Sequence, residues 1–398
     1  MATRSRAISG RSRTRAATKI VPAKLSPNHP AVLLGVTTGA LLVVGLVMIL
    51  SASSVQSFAS YGSSFLFFNK QLLWSLIGLV GFVTFARLDY HRLRGVGYVL
   101  FALVVVALMA VLVPGVGTEV GGSSRWISAG PLTFQPSELA KLALILFGAD
   151  VFSRKDERRL GTLGHTVVPM LPAIGILTIL IMLQPDLGTT LLLAAIGFGM
   201  LFVAGAPMKY LVPMAASGAS LAMLAAFAEP YRRARLLAFT HPWQDPLNTG
   251  YQTIQSLIAM GSGSWFGVGL GASRQKWSYV PNAHTDFIFA ILGEEMGILG
   301  TLAVVGLFAF LVYLGIRIAK QAPDRFGMLL ACGVTIWIST QALVNMGAVT
   351  GTLPITGVPL PLVSFGGTSL VVSLAAMGIL SNVARQGKAP RGRPAQRA

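Results

Sequence analysis

Residues 250–295, GYQTIQSLIAMGSGSWFGVGLGASRQKWSYVPNAHTDFIFAILGEE, carry a long polar segment into an apolar run of membrane length. Asp286 stands at the junction. A carboxylate at the mouth of a membrane helix is costly unless it is solvated, paired or used in chemistry, which makes it a functional candidate. A plainer reading is a helix cap, with Thr285 at the N-cap and Asp286 complementing the helix dipole.

Working outward, the whole chain shares the character of that apolar run. Apolar residues make up 54% of it and charged ones 11%, with a mean hydropathy of +0.69. These values fit an all-α polytopic membrane protein and exclude a soluble domain. The spans read as 31–53, 70–87, 95–114, 137–153, 166–183, 189–206, 210–228, 286–316, 326–349 and 368–384. Ten helices put both ends on one side, so residues 31–384 form one membrane domain between tails 1–30 and 385–398. Most lysines and arginines fall in the tails and in the loops on that same side, which the positive-inside rule makes cytoplasmic. The net charge of +18 then reflects basic tails suited to anionic lipid headgroups. Nucleic-acid binding is not expected, because the tails lack aromatic interleaving or a folded module. The single cysteine, Cys332, permits no internal disulfide and no cysteine metal site.

The cations that escape the inward bias are Lys70, Arg125, Lys141, Arg232, Arg233, Arg235, Arg274 and Lys276. Most lie in or beside two large outer segments, 115–141 and 229–285, in the company of Glu138, Asp186, Glu229, Asp245 and Asp286. Fixed outer cations suit a phosphate or pyrophosphate, and charge balance within the loops is the competing reading. The outer loop before the fourth span places Arg125 and Trp126 in a glycine-rich segment suited to the headgroup layer. Gln135 and Pro136 start that span, with Glu138 and Lys141 following on one helical face, either as a self-neutralising pair or as the edge of a polar cavity. In QPDLGTT (184–190), Pro185 and Gly188 allow a sharp turn that presents Gln184 and Asp186, although Asp186 also suits a helix cap. The FFNKQLLW segment of the second span shows nothing catalytic. The glycines between 261 and 271 match no nucleotide fingerprint and read as a flexible lid or packing loop. Three prolines in GTLPITGVPLPLVSFGGTS (351–369) predict irregular backbone lining a cavity, with Ser364 and the amides of Gly366 and Gly367 as donors.

FQPSELAK, QPDLGT, the GYQ…QS…G stretch leading to HTDFIFAILGEE, and LPITGVPLPLVSFGG occur in the same order in the SEDS family (shape, elongation, division, sporulation) of cell-wall polymerases, which this chain resembles over nearly its whole membrane region. Within that family the resemblance is stronger to division-type than to elongation-type members. It implies a peptidoglycan glycosyltransferase joining lipid II units on the outer face of the cytoplasmic membrane, at the septum. The implied partners are a class B penicillin-binding protein (FtsI-like transpeptidase) and other divisome membrane proteins. Asp286 matches the family's catalytic aspartate; Glu138, Lys141, Asp186 and Ser364 match cavity positions. Arg125, Trp126, Gln184, Lys276, His284 and Gly366 complete the candidate binding set. Two positions depart from the family pattern: Ser124 precedes Arg125 where a second arginine is usual, and Asn282 replaces a glutamate.

The chemistry agrees with the residues. A sugar on pyrophosphate has a good leaving group, so the reaction needs charge stabilisation by Arg, Lys or a divalent cation (Mg or Mn), and a base for the acceptor hydroxyl, which Asp286 supplies. A lipid flippase is a second reading, weakened by acids that cluster at outer helix ends and by the lack of an internal repeat. A third, a non-catalytic division scaffold, leaves the carboxylates unexplained.

Overall fold

The computed structural model describes residues 26–120, 123–129, 132–155, 164, 167–228, 233–234, 236, 239–277, 280 and 283–387. Most of both basic tails, Arg158 and Arg159 of an inner loop, and Glu229, Arg232, Arg235 and Asn282 lie outside them. Helices form at each of the ten expected spans: α1 (Pro30–Tyr61), α2 (Leu66–Arg87), α3 (Leu93–Val111), α4 (Pro136–Ser153), α5 (Leu171–Met182), α6 (Leu187–Ala204) and α7 (Met208–Ala228), then α9 (Ile288–Gln321), α10 (Arg325–Val349) and α11 (Gly367–Gln386). Between α7 and α9 the amphipathic stretch from Tyr251 forms a further helix, α8 (Tyr251–Ser262).

Eight of these helices among the described residues are long and apolar enough to cross a membrane; α4 and α5 are not. The reasons differ. Helix α5 has only 12 residues, whereas α4 carries Glu138, Lys141 and Asp150, all of them buried. Helix α4 packs against α3, α6 and α10, so its charges face protein partners. Lys141 Nζ donates to Glu138 Oε2 at 2.7 Å, and Asp150 pairs with Arg154 at 2.8 Å. A span wrapped by other helices satisfies its ionic groups internally and loses the hydropathy signature of a lipid-facing one.

The bundle closes by joining early helices to late ones. Helix α2 lies along α11, and α1 packs on α9 and α11. At the inner end Asn382 Nδ2 donates to Ala86 O at 2.9 Å, and its Oδ1 accepts from Tyr90 N at 3.3 Å. Asp324 there caps α10 through Gly327 N at 2.8 Å and accepts from Tyr90 Oη at 2.9 Å and Arg94 Nη2 at 3.0 Å. At the outer end Gln71 Nε2 donates to Ser364 O at 3.3 Å, and Gly366 N donates to Gln71 Oε1 at 3.4 Å.

Of two outer segments, one forms structure that the sequence reading did not anticipate and the other takes one of its two expected forms. Strands β1 (Gly117–Val120), β2 (Ser123–Ala129) and β3 (Leu132–Phe134) form a three-stranded antiparallel sheet, pairing Thr118 with Trp126 and Ile127 with Phe134. Strands this short, set among glycines, leave no hydropathy signal. The glycine-rich segment after α8 is a packing element and not a free lid. Val268 N and Gly269 N donate to the carbonyls of Glu294 and Glu295, and Ile298 N donates back to Ser264 O. The segment thus fills a break in α9 at Gly297, whose φ of 66° and ψ of −166° belong to a region that only glycine occupies freely. Below it, Ser51 Oγ and Ser273 Oγ donate to Glu295 and Glu294.

A Cβ on Gly297 would overlap Gly267 N. We expect Gly297→Ala to add about 1–3 kcal/mol of backbone strain and to displace the docked segment. The measurement is thermal unfolding in detergent; an unchanged midpoint would mean the break is incidental.

Candidate active site

Helices α2, α4, α6, α9 and α11 all begin at the same end of the bundle, and a cavity of about 730 Å³ opens there. Each contributes its N-terminal turn or the residues just before it. Phe67 and Lys70 come from α2, with Trp74 one turn deeper, Gln135 and Glu138 from α4, Asp186 to Thr189 and Leu191 from the start of α6, His284 to Asp286 from the approach to α9, and Gly366, Gly367 and Ser369 from α11. Arg125, Trp126 and Thr133 of the sheet and Pro354 to Gly357 and Pro359 of the proline loop also line it. Unsatisfied N–H groups and aligned peptide dipoles make such an end favourable for negative charge.

Asp286 is not the cap of its helix. The N-cap position of α9 is Phe287, whose own side chain makes no capping hydrogen bond. The Asp286 carboxylate faces the proline loop, where a Cβ on Gly357 would stand 3.5 Å from Oδ2. Two more carboxylates stand on the wall. Glu138 holds Lys141. Asp186 caps α6, accepting from Thr189 N at 3.0 Å and Thr189 Oγ1 at 2.9 Å, and lies 3.7 Å from Arg125 Nη1. Arg125 itself donates through Nε to Gln184 O at 3.0 Å and through Nη2 to Pro185 O at 2.6 Å, stitching β2 to the QPD turn.

Of the candidate residues, the cavity brings together Arg125, Trp126, Glu138, Asp186, His284, Asp286 and Gly366. Four others stand off the wall. Lys141 lies behind Glu138, its ammonium also donating to Gln341 Oε1 at 3.0 Å and sitting 4.9 Å over the Trp337 ring. Gln184 turns away to donate to Leu108 O at 3.0 Å. Lys276 belongs to the docked glycine segment, donating to Gly271 O at 2.6 Å and facing Glu295 at 3.7 Å. Ser364 Oγ accepts from Leu360 N at 2.8 Å within its own turn, so the hydroxyl is used to shape the loop.

His284 is packed between Phe67 and Phe365, at centroid distances of 4.9 and 5.5 Å. Burial pushes its pKa down to about 4, so the ring is neutral at neutral pH. Lys70, in the segment that reads as featureless, is exposed on the cavity wall, and its ammonium makes no ion pair or hydrogen bond among the described residues. The available signal was its membership of the outer cations. Among the described residues no group of three or more His, Cys, Asp or Glu is placed to hold a metal ion.

The family model for cell cycle proteins of the FtsW, RodA and SpoVE type matches residues 32–389. The chain belongs to the FtsW/RodA/SpoVE family. Among its relatives, stage V sporulation protein E of Bacillus subtilis is 42% identical over 89% of this chain and 97% of its own length. The probable peptidoglycan glycosyltransferase FtsW of Mycobacterium tuberculosis is 42% identical over 87% of this chain and 66% of its own length. Among solved structures, a chain described under the structural coordination of polymerization and crosslinking by a peptidoglycan synthase complex superposes with a TM-score of 0.73. It is 31% identical over 88% of this chain and 96% of that one. The match to the FtsW/RodA/SpoVE family spans every helix that contributes to the cavity wall, so the whole site lies inside the family's common fold.

Proposed function

We propose that this protein is a peptidoglycan glycosyltransferase. In this reading it joins lipid II units into glycan strands at the outer face of the cytoplasmic membrane during septal synthesis, beside a class B penicillin-binding protein. The observation that carries the reading is the placement of Asp286 on a cavity wall shared with Lys70 and Arg125, at the end where five helices begin. The names of the relatives support the reaction class, and those named FtsW support a division role over an elongation role.

In the reaction, the acceptor hydroxyl oxygen attacks the anomeric carbon of the donor sugar. The bond from that carbon to the pyrophosphate oxygen breaks, its electron pair leaves with the pyrophosphate, and the hydroxyl proton passes to Asp286. A single displacement of this kind inverts the anomeric centre, with the hydroxyl in the place that water takes in an inverting hydrolase. Lys70, the helix N-termini and the remaining donors of Arg125 favour charge growing on the pyrophosphate. The neutral His284, two residues before Asp286, adds no positive charge to lower the basicity of the carboxylate.

Purified protein in nanodiscs, given lipid II with and without its class B partner, is the test. Glycan strands resolved on a gel, and more of them with the partner, are expected, because ordering of the outer segments by binding shifts the population toward the competent state. Lipid II crossing the bilayer without strand formation would replace the reading with a flippase, and neither activity would leave a scaffold.

A further inference from the structure

Helix α10 carries two buried carboxamides one turn apart, Gln341 and Asn345, on the side that faces the cavity's supporting loop. Asn345 Nδ2 donates to two main-chain carbonyls, Asp286 O at 2.7 Å and Val358 O at 2.9 Å. Gln341 Nε2 donates to the next carbonyl of that loop, Pro359 O, at 2.9 Å, while Gln341 Oε1 accepts from Lys141 Nζ and from Trp337 Nε1 at 2.7 Å. Adjacent carbonyls of the proline loop are therefore held by one helix, and through the same two side chains that helix reaches both Asp286 and the Glu138–Lys141 pair.

We infer that Asn345 is a positioning residue, its amide tying the backbone of Asp286 to the proline loop and so fixing where the carboxylate stands in the cavity. The inference rests on Asp286 being the base. Carbonyl oxygens only accept, so both amide hydrogens must point at Asp286 and Val358 and the side chain has one workable orientation. That orientation leaves Asn345 Oδ1 buried without a hydrogen-bond partner. In the middle of a bundle, a leucine of similar volume avoids that cost. An asparagine that leaves its acceptor unsatisfied in order to donate twice is explained by the two carbonyls it joins. Asp286 lies outside the regular hydrogen bonding of α9, two residues before its first turn, so the two carbonyl contacts of Asn345 bear directly on where its backbone stands. A displacement of about 1 Å at a reacting group costs about 100-fold in rate.

The test compares full-length wild type, Asn345→Leu and Asp286→Asn in nanodiscs with lipid II, reading kcat, KM and the thermal midpoint. For Asn345→Leu we expect kcat to fall by about 10- to 100-fold, with KM within about threefold of wild type and the midpoint held to within a few degrees. Asn345→Ala, which loses both donors without adding a buried charge, should behave alike and replaces the leucine variant if that one fails to fold. Wild-type kcat in either folded variant overturns the inference. So does a loss of kcat that merely follows a loss of thermal stability or of substrate affinity, since that is what a packing role predicts. Near-normal activity in Asp286→Asn removes the base itself, whatever Asn345 does. A failed Asp286→Asn beside a fully active Asn345→Leu removes only the strut.

Discussion

Asp286→Asn is expected to fold, insert and bind its partner protein, yet to form almost no glycan from lipid II. Asparagine keeps the size of the side chain but cannot take up a proton, and general-base catalysis contributes roughly 10²- to 10⁴-fold. The rival explanation for this residue was helix capping. Phe287, and neither Thr285 nor Asp286, occupies the N-cap position of α9, and asparagine keeps an acceptor oxygen at this site. Asp286→Glu should recover little, because the carboxylate moves by about a bond length toward a wall that is already close at Gly357. Gel analysis of strands made from labelled lipid II reads the result directly. Normal strand formation by a well-folded Asp286→Asn protein would sink the assignment. The wall acids to test next are then Asp186, which Thr189 and Arg125 engage, and Glu138, which Lys141 engages.

The second large effect is expected at Lys141. Its side chain and that of Glu138 are almost fully buried, at 1% and 4% exposure, so removing the ammonium strands a carboxylate inside the bundle. Breaking a buried pair by one partner costs about 3–5 kcal/mol, whereas removing both partners is often close to neutral. Lys141→Met should therefore lower the thermal midpoint strongly, and Glu138→Gln with Lys141→Met should regain most of the loss. Charge reversal at Lys141 should be worse than at Lys209, an exposed residue in the first turn of α7 whose ammonium sits 4.9 Å from the Tyr210 ring centroid. Equal midpoints for Lys141→Met and wild type, or equal tolerance of reversal at the two lysines, would show that the buried pair carries no structural weight.

These examples also show what the sequence discloses and where it stops. Spans such as α1, α9 and α10 are legible because lipid and protein interior ask the same thing of twenty consecutive residues, and hydropathy records it. The pairing of Glu138 with Lys141 is legible because helical periodicity alone puts them on one face. The sheet at 117–134 and the docking of the glycine segment on Gly297 leave weaker traces, since short strands and close backbone approaches carry no long-range pattern. Most opaque are contacts in which a side chain binds a carbonyl. Arg125 reads as a free cation for a phosphate, yet two of its donors are occupied by Gln184 O and Pro185 O. Asn345 carries no motif at all, because every residue type offers the carbonyl that it holds.

The hydrogen bonds that close the bundle also set an order of assembly. Gln71 and Ser364 are 293 positions apart, and Ala86 and Asn382 are 296 apart. Contacts of such separation are the last a growing chain can make. During synthesis Glu138, Asp186 and Asp286 are in place well before α11 exists to finish the wall beside Trp74 and Thr133. A nascent chain thus carries its acids for most of its manufacture without an enclosure to use them in, and becomes competent only when its final span has been inserted against its second.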